Sequence, residues 1–415
     1  MEKTISKQKY STNELLPVGI YLHIPFCTTK CGYCDFNAYA NLDYLVSDYT
    51  SSLIKEIKLW EKSLNKHSVK SIFFGGGTPS LTSITDLQQI ISTIFETFNI
   101  SPHAEFTLEA NPTELTEKYL HKIRELGINR LSMGVQSMNT NELQLLERTH
   151  SPQQVLNVIK ASRKAGFNNL NLDLIYGLME QDLQTWQETV EKILDHHPEH
   201  LSCYALTIEP GTPFYYRVEK GLLSEPNPDI AAEQYEWTRE RLEDAKYVHY
   251  EISNWAKKDH ECIHNLIYWQ NKDYLGIGAG AHSYFNGKRF ANINAPNKYI
   301  ELVNASYAEW GNENHIAMKQ IISTETPNLV TTRSDAAILG LRLIEGIDFE
   351  EYYKRFEVDI NQLYTEAITK HLKTGLLEKT KSSLKLSPKG LLLANEIFVD
   401  LLPDNNMQSI NKSGD

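Results

Sequence analysis

Three cysteines lie within eight positions, at Cys27, Cys31 and Cys34, and Tyr33 directly precedes the last of them. Thiolates at this CxxxCxxC spacing can ligate three irons of a cubane [4Fe-4S] cluster and leave the fourth iron without a protein ligand. Structural zinc, the alternative, requires a fourth cysteine or histidine nearby. His23 is a candidate, but it lies in the preceding strand pattern. The spacing is too tight for a disulfide framework and predicts an iron–sulfur centre.

A glycine-rich turn, FGGGTP at residues 74–79, follows a short apolar run that predicts a buried strand. Successive glycines let the backbone approach a ligand closely, and their carbonyl groups can receive an ammonium group. A glycine triplet by itself indicates no more than a tight turn. Because this one follows the three-cysteine loop, it predicts a site for an amino-acid-like ligand.

Strand-like and helix-like segments alternate about six times up to residue 215, which predicts a parallel α/β sheet, either open or bent into a barrel. In parallel α/β folds, active sites gather at the carboxyl ends of the strands. Informative residues recur at the predicted strand ends: Cys27, residues 75–78, Glu109, Gln136, Asp173 and Thr207. We therefore expect one shared site at this edge of the sheet.

The composition is that of an ordinary globular protein, with 41% hydrophobic and 23% charged residues among 415. The formal net charge of −12 argues against non-specific binding to nucleic acid or to an anionic membrane. The sequence has no apolar stretch long enough to span a membrane and no recognisable leader peptide. It therefore predicts a cytoplasmic protein, and thiols stay reduced in that compartment.

The segments CTTKCGYC and FFGGGTPS, at residues 27–34 and 73–80, resemble the radical-SAM superfamily. The segments YLHIPFC, GVQS, ERTHS and NLDLIYGL narrow the resemblance to the branch that contains the oxygen-independent coproporphyrinogen III dehydrogenases. This resemblance implies an α/β fold: a partial (β/α)6 radical-SAM barrel with a C-terminal, mainly helical, winged-helix-like domain. The expected divisions are a disordered N-terminus at 1–16, a radical-SAM core at 17–245, a linker containing an HNxxYW segment at 246–332, a HemN-type helical domain at 333–400 and a disordered tail at 401–415.

The resemblance also implies roles for matching residues. Cys27, Cys31 and Cys34 would ligate the cluster. The residues that would bind S-adenosylmethionine (SAM) are Tyr21, Tyr33, Gly76, Gly77, Thr78, Glu109, Gln136, Arg148 and Asp173. Arg148 suits a carboxylate because a guanidinium group makes paired, charge-assisted hydrogen bonds. The alternative for each polar residue is an ordinary hydrogen bond at the barrel rim. The implied chemistry is reductive cleavage of SAM, with electrons from an external one-electron donor.

Two features depart from the dehydrogenase pattern. That pattern, CxxxCxxCxC, has a fourth cysteine where this chain has Phe36, and residues 264–269, HNLIYW, match the HNxxYW signature of the haem chaperones called HemW. A histidine beside aromatic residues suits haem, because imidazole ligates iron and flat rings contact the macrocycle. His264 is the predicted haem ligand. The alternatives are that His264 packs between the barrel and the C-terminal domain, or that Cys262 is the ligand.

The sequence therefore predicts a HemW-type haem chaperone that carries a [4Fe-4S] cluster, SAM and haem. Its predicted partners are haem and a haem-acceptor protein, with membrane contact only through such acceptors and no nucleic acid. The alternative is an enzyme, an oxygen-independent coproporphyrinogen III dehydrogenase that forms protoporphyrinogen IX by oxidative decarboxylation.

Overall fold

The structure is a computed structural model that describes residues 15–310 and 318–403. Of the ends expected to be disordered, 1–16 and 401–415, residues 1–14 and 404–415 lie outside the described residues, whereas Leu16 begins the first strand and Leu401 is buried. The strands are β1 (Leu16–Ile24), β2 (Phe26–Cys27), β3 (Tyr39–Ala40), β4 (His67–Gly76), β5 (Ile100–Ala110), β6 (Arg130–Gln136), β7 (Leu170–Tyr176), β8 (His200–Ala205), β9 (Val248–Glu251), β10 (Asn254–Ala256), β11 (Tyr274–Ile277), β12 (His282–Phe285), β13 (Lys288–Asn292), β14 (Ile321–Glu325), β15 (Ile347–Asp348), β16 (Leu377–Lys379) and β17 (Ser383–Leu386).

The helices run between and after these strands. They are α1 (Val46–Leu59), α2 (Glu61–Leu64), α3 (Ile84–Thr97), α4 (Glu117–Glu125), α5 (Thr140–Leu145), α6 (Pro152–Lys164), α7 (Leu183–Leu194), α8 (Pro213–Glu219), α9 (Pro228–Asp244), α10 (Ile263–Trp269), α11 (Pro296–Ala308), α12 (Leu329–Gly340), α13 (Phe349–Phe356), α14 (Ile360–Leu363), α15 (Thr365–Lys373), α16 (Pro388–Leu392) and α17 (Ala394–Asp400). Within the described ranges, no helix is both long and apolar enough to cross a membrane.

Six parallel strands form the centre of a large sheet, in the order β1-β4-β5-β6-β7-β8. Helices separate consecutive strands of this set, which is the (β/α)6 pattern that the sequence predicts. The strands are largely buried because both faces of a parallel sheet are covered, and they carry buried polar side chains as well as apolar ones. Their carboxyl ends lie at one edge, where the residues with candidate chemistry are found.

The helices begin and end at the local signals that the sequence carries. Ser151 forms a capping box with Gln154 at the start of α6, and the Asp182 side chain caps α7. Gly127 and Gly166 follow α4 and α6 with φ of +98° and +89°, a conformation that glycine adopts at little cost. These signals fix where each connection turns back toward the next strand.

The interval 246–332, which the sequence analysis assigns to a linker, contributes six strands to the large sheet. Strand β11 pairs in parallel with β1, and β12, β13 and β14 continue the sheet as antiparallel neighbours; β10 and β9 extend the opposite edge beside β8. The strands β9 to β14 have three to five residues each, so periodicity alone detects them poorly. Within this interval, the segment DYLGIGAGAHSYFNG at residues 273–287, whose glycines and β-formers predict strand and turn, forms β11 and β12.

The C-terminal part after residue 329 consists of α12 to α17 and a small antiparallel sheet in the order β15-β17-β16. Strands β16 and β17 form the hairpin that the segment GLLEKTKSSLKLSPKG predicts. This helix–hairpin–helix arrangement agrees with the predicted mainly helical, winged-helix-like domain.

Candidate functional site

The three-cysteine loop connects the short parallel strands β2 and β3, so Cys27 is fixed at a strand end. Cys27 is buried, whereas Cys31 and Cys34 are half-buried. The hydroxyl of Thr78 donates to Cys27 Sγ at 3.4 Å, and Arg148 Nη1 donates to Cys31 Sγ at 3.7 Å. Donors of this kind stabilise sulfur that carries negative charge, as a cluster-bound thiolate does.

Gly32 anchors the middle of the loop. Its amide donates to Glu147 Oε2 at 2.8 Å, and its carbonyl accepts from the amide of Phe214 at 2.9 Å. A Cβ atom at this position would lie 2.7 Å from the Phe214 ring, so the close approach requires glycine. The loop is therefore held against α8 on one side and against the residues after α5 on the other.

Burial raises the pKa of the Cys27 and Cys34 thiols above their usual range. Among residues 15–310 and 318–403, no three His, Cys, Asp or Glu side chains converge on one point as ligands of a single metal ion. A cubane cluster needs one thiolate on each of three irons, which is a wider arrangement than a single-ion site. The donor set and the supporting hydrogen bonds fit such a cluster.

The glycine turn at the end of β4 forms a cradle. Gly76 has φ of +114°, and a Cβ atom there would lie 2.6 Å from the His23 ring. A Cβ atom on Gly77 would lie 2.6 Å from the Phe26 carbonyl oxygen. Both positions therefore require glycine, and they leave the backbone open toward the cysteine loop.

A cavity of about 380 Å³, here called the SAM cavity, lies at the carboxyl ends of β4 to β8. Its volume is within the range of pockets that enclose small ligands. Of the residues predicted to bind cluster or SAM, all but Tyr21 line it: Cys27, Cys31, Tyr33, Cys34, Gly76, Gly77, Thr78, Glu109, Gln136, Arg148 and Asp173. Sequence reasoning missed further lining residues, including Asn111, Ser132 and Tyr204, which have no motif of their own.

Two carboxyl groups, those of Glu109 and Asp173, line the SAM cavity. Burial, together with the nearby charge of Asp173, raises the pKa of Glu109 to about 7, and burial also raises the pKa of Asp173. The backbone amide of Gly76 donates to Glu109 Oε2 at 3.2 Å, and the side-chain amide of Asn171 donates to Asp173 Oδ1 at 2.7 Å. Hydroxyl or ammonium groups of a ligand would satisfy these carboxyl groups.

Two further side chains of the SAM cavity, those of Gln136 and Arg148, are held by irregular backbone and by hydrogen bonds, respectively. Gln136 has φ of +66° beside a register shift between β6 and β7, an arrangement that redirects a side chain at a strand end. Arg148 donates through Nη2 to the Gly134 carbonyl at 3.0 Å and to Asn111 Oδ1. The cationic guanidinium group therefore lies between the cysteine loop and the end of β6.

A second cavity, also of about 380 Å³ and here called the aromatic cavity, adjoins the first and shares Phe36, Gly76 and Glu109 with it. Its walls include four aromatic rings and two imidazoles: Tyr21, Phe36, Tyr268, Tyr274, His23 and His282. Tyr21 is thus placed in the aromatic cavity rather than in the SAM cavity. Phe36, the residue in place of the fourth cysteine, is 67% exposed and lies at the junction of the two cavities.

His264 lies beneath the aromatic cavity and does not line either cavity. It is 1% exposed, and its ring nitrogens hydrogen-bond to Ser71 Oγ and to the Tyr268 hydroxyl, each at 2.8 Å. Burial and the Arg130 charge lower the pKa of His264 to about 3, so the imidazole is neutral. Iron ligation by His264 would require the loss of one of these bonds and movement of the helix or of Tyr268.

The start of α10 explains why His264 is held there. The buried Glu105 carboxylate accepts hydrogen bonds from the amides of Ile263 and His264, at 3.1 and 3.3 Å, and from the Cys262 thiol at 3.5 Å. A carboxylate at a helix N-terminus satisfies amides that have no partner within the helix. Cys262, the alternative haem ligand, is wholly buried in this network.

Comparison with known proteins shows which families have similar sequences and folds. Residues 21–193 match the model of the radical SAM superfamily, and residues 333–393 match the HemN C-terminal domain. The haem chaperone HemW of Lactococcus lactis is 34% identical over 389 residues, which cover 94% of this chain and 98% of that protein. The chain belongs to the HemW family. The HemW of Bacillus subtilis is 34% identical over 91% of this chain and 97% of its own length.

The fold of this HemW-family chain also matches a solved structure, that of the coproporphyrinogen III oxidase HemN of Escherichia coli, a radical SAM enzyme. The TM-score is 0.80 over 94% of this chain and 90% of the oxidase, at 21% sequence identity. The likeness establishes the shared fold, a large α/β sheet followed by a helical C-terminal domain. Membership of the radical SAM superfamily implies a [4Fe-4S] cluster and SAM, which the residues of the SAM cavity fit.

Proposed function

We propose that this protein is a haem chaperone that binds one haem beside a [4Fe-4S] cluster and SAM and delivers the haem to an acceptor protein. The observation that carries the proposal is the aromatic cavity next to the SAM cavity, since flat rings suit the faces of a porphyrin. Full-length similarity to haem chaperones of the HemW family supports it.

Within this proposal, Cys27, Cys31 and Cys34 ligate the cluster, and the lining residues of the SAM cavity hold SAM. When bound, these cofactors supply one-electron reductive chemistry, and the protein orients them and limits access of water. The radical-SAM core is assigned to 17–245 and the HemN-type domain to 333–400. A cytoplasmic location, an external one-electron donor and the identity of the acceptor are further parts of the proposal.

The alternative is a coproporphyrinogen III dehydrogenase, which the shared fold alone favours. Phe36 stands where that pattern has a cysteine, and its exposed ring offers no thiol. The choice between the two functions is therefore one between a chemical conversion and the transport of an unchanged haem.

Both functions can be tested on one anaerobic preparation of the full chain with an intact cluster and bound SAM. We would add reductant and coproporphyrinogen III and follow the product by chromatography, with a known dehydrogenase in parallel. A second portion would receive haem, and transfer to apomyoglobin as a general acceptor would be followed by absorption. We expect haem binding and release without conversion of coproporphyrinogen III. Conversion to protoporphyrinogen IX, or no binding of haem, would overturn the chaperone proposal.

A further inference from the structure

Three histidines lie at or below the aromatic cavity, and their hydrogen bonds distinguish them. His23 is 5% exposed; its Nε2 donates to the Asn37 carbonyl at 2.8 Å, so its Nδ1 must accept from the Tyr21 hydroxyl at 3.0 Å. His264 likewise has both nitrogens in hydrogen bonds. Neither imidazole has a nitrogen lone pair directed into the cavity.

His282 differs from both. It is exposed, it lines the aromatic cavity, and neither of its ring nitrogens hydrogen-bonds to any residue within 15–310 or 318–403. A neutral imidazole has one nitrogen lone pair available for a metal, which makes histidine a common ligand of haem iron. Among the three histidines, His282 is the one that lines the cavity and has no hydrogen-bond partner for its ring nitrogens in the part of the chain that the structure describes.

The backbone that presents His282 is rigidly held. In the turn between β11 and β12, the Gly278 amide donates to the buried Glu56 carboxylate at 2.9 Å, and the Ala279 amide donates to the Tyr49 hydroxyl at 2.8 Å. The Asn37 side chain donates to the Ala279 carbonyl at 3.0 Å, which ties this turn to the end of the cysteine loop. A metal ligand on such a fixed turn needs little reorganisation on binding.

We propose that His282 is the axial ligand of haem iron in the aromatic cavity, an inference that rests on the proposed haem-chaperone function. One imidazole nitrogen of His282 donates its lone pair to the iron, with no change of oxidation state and no proton transfer. The rings of Phe36, Tyr268 and Tyr274 line the space for the macrocycle. Because Phe36 and His282 are exposed, the cavity opens to solvent there and leaves the charged propionates in water.

This assignment gives His264 a different role. Its Nε2 hydrogen-bonds the hydroxyl of Tyr268, which lines the cavity, and its ring stacks on Phe73 at a centroid distance of 5.1 Å. His264 is therefore a positioning residue that fixes a wall of the haem site. Substitutions at His264 and His282 should consequently have different spectroscopic effects.

The test is titration of the cluster-loaded full chain with ferric haem, followed by the Soret band and by electron paramagnetic resonance. In His282→Gly we expect loss of the histidine-ligated spectrum and a rise in Kd of about tenfold or more, since even residues that merely support a metal ligand cost about 10- to 100-fold. Added imidazole should restore the wild-type spectrum in His282→Gly. Added imidazole should have no such effect in His264→Ala. That variant should bind haem more weakly but retain the histidine-ligated spectrum. His121→Ala, an exposed histidine of α4, is the matched control and should bind as the wild type does.

The outcomes separate the inference from the proposed function. If the wild type binds haem and His282→Gly has the same spectrum and Kd, ligation by His282 is refuted and the chaperone function stands. Weaker binding in His282→Gly that imidazole does not restore would also overturn ligation, because it indicates a structural role. If the wild type binds no haem, both proposals fail together.

Discussion

The carboxyl group of Glu109 lines both cavities, so its protonation state changes the charge on the wall of each. With a pKa of about 7, it is largely neutral below that pH and ionised above it. Because the folded-state pKa is raised, its contribution to stability is present at low pH and is lost as the pH rises through about 7. A cationic ligand has the opposite preference, since it favours the carboxylate.

We therefore predict that SAM binds more tightly as the pH rises from about 6 to 8, because its ammonium and sulfonium groups favour ionised Glu109 and binding releases a proton. Asp173 and Arg130 are the charged neighbours that act on this group. Calorimetry at several pH values on cluster-loaded protein would measure the effect. Glu109→Gln should bind SAM more weakly and lose the pH dependence that the wild type shows between about pH 6 and 8. An unchanged pH profile in Glu109→Gln would contradict the assignment.

At the scale of elements, the cysteine loop depends on contacts that are distant in sequence. Gly32 is held by Glu147, and Glu147 in turn forms an ion pair with Arg217 at 2.8 Å. Thr78, which follows β4, and Arg148, which follows α5, supply the donors to sulfur. Contacts with the (β/α)6 scaffold therefore set the geometry of the loop.

Substitution of four of the five cysteines separates ligands from other thiols. We predict that Cys27→Ala, Cys31→Ala or Cys34→Ala each abolishes the cluster, since each removes the ligand of one iron. Cys203→Ala is the matched control, because Cys203 is a buried residue of β8 at 1% exposure and does not line the SAM cavity. Iron content and the brown absorption after anaerobic reconstitution are the measurements. A full complement of iron in any of the three variants would contradict the ligand set.

At the scale of the whole molecule, the HNxxYW segment joins the sheet to the C-terminal domain. The Arg342 guanidinium lies over the Trp269 ring at 4.3 Å, and Arg355 donates to the carbonyls of Gln270 and Asn271, at 3.4 and 3.0 Å. Cation–π contacts and charged hydrogen bonds of this type stabilise an interface between two parts of a chain. The same segment thus supports the aromatic cavity through Tyr268 and the domain contact through Trp269.

We predict that Arg355→Ala lowers the free energy of unfolding by about 1 to 2 kcal/mol, because two carbonyl groups lose a charged donor. Denaturant titration would measure the change. The neighbouring Lys354→Ala is the control: Lys354 pairs with Glu350 on the same helix face, and both side chains are highly exposed, so no measurable change is expected. Equal stability of Arg355→Ala and Lys354→Ala would show that the domain contact contributes little.

Local sequence carries the cysteine spacing, the glycine turn and the six-fold strand–helix alternation, whereas the resemblance to a family implied part of the lining of the SAM cavity and left out Asn111, Ser132 and Tyr204. Each of these local patterns is visible within a short window, because a loop motif, a cap or an amphipathic period involves neighbouring residues. The extension of the large sheet by β9 to β14 was not predicted, since these strands have three to five residues each and β11 joins the sheet through β1, which lies far away along the chain.

The roles of the histidines were decided by tertiary structure alone. His264 stands in a recognisable motif, yet its partner Ser71 lies 193 positions away and holds it beneath the cavity floor. His282 stands in no motif that the sequence analysis singled out, yet the turn held by Tyr49 and Glu56 places it in the aromatic cavity. Burial and hydrogen-bond partners are properties of long-range packing, so the sequence determined which residues could ligate iron, and the fold decided that His282, and not His264, lines the aromatic cavity.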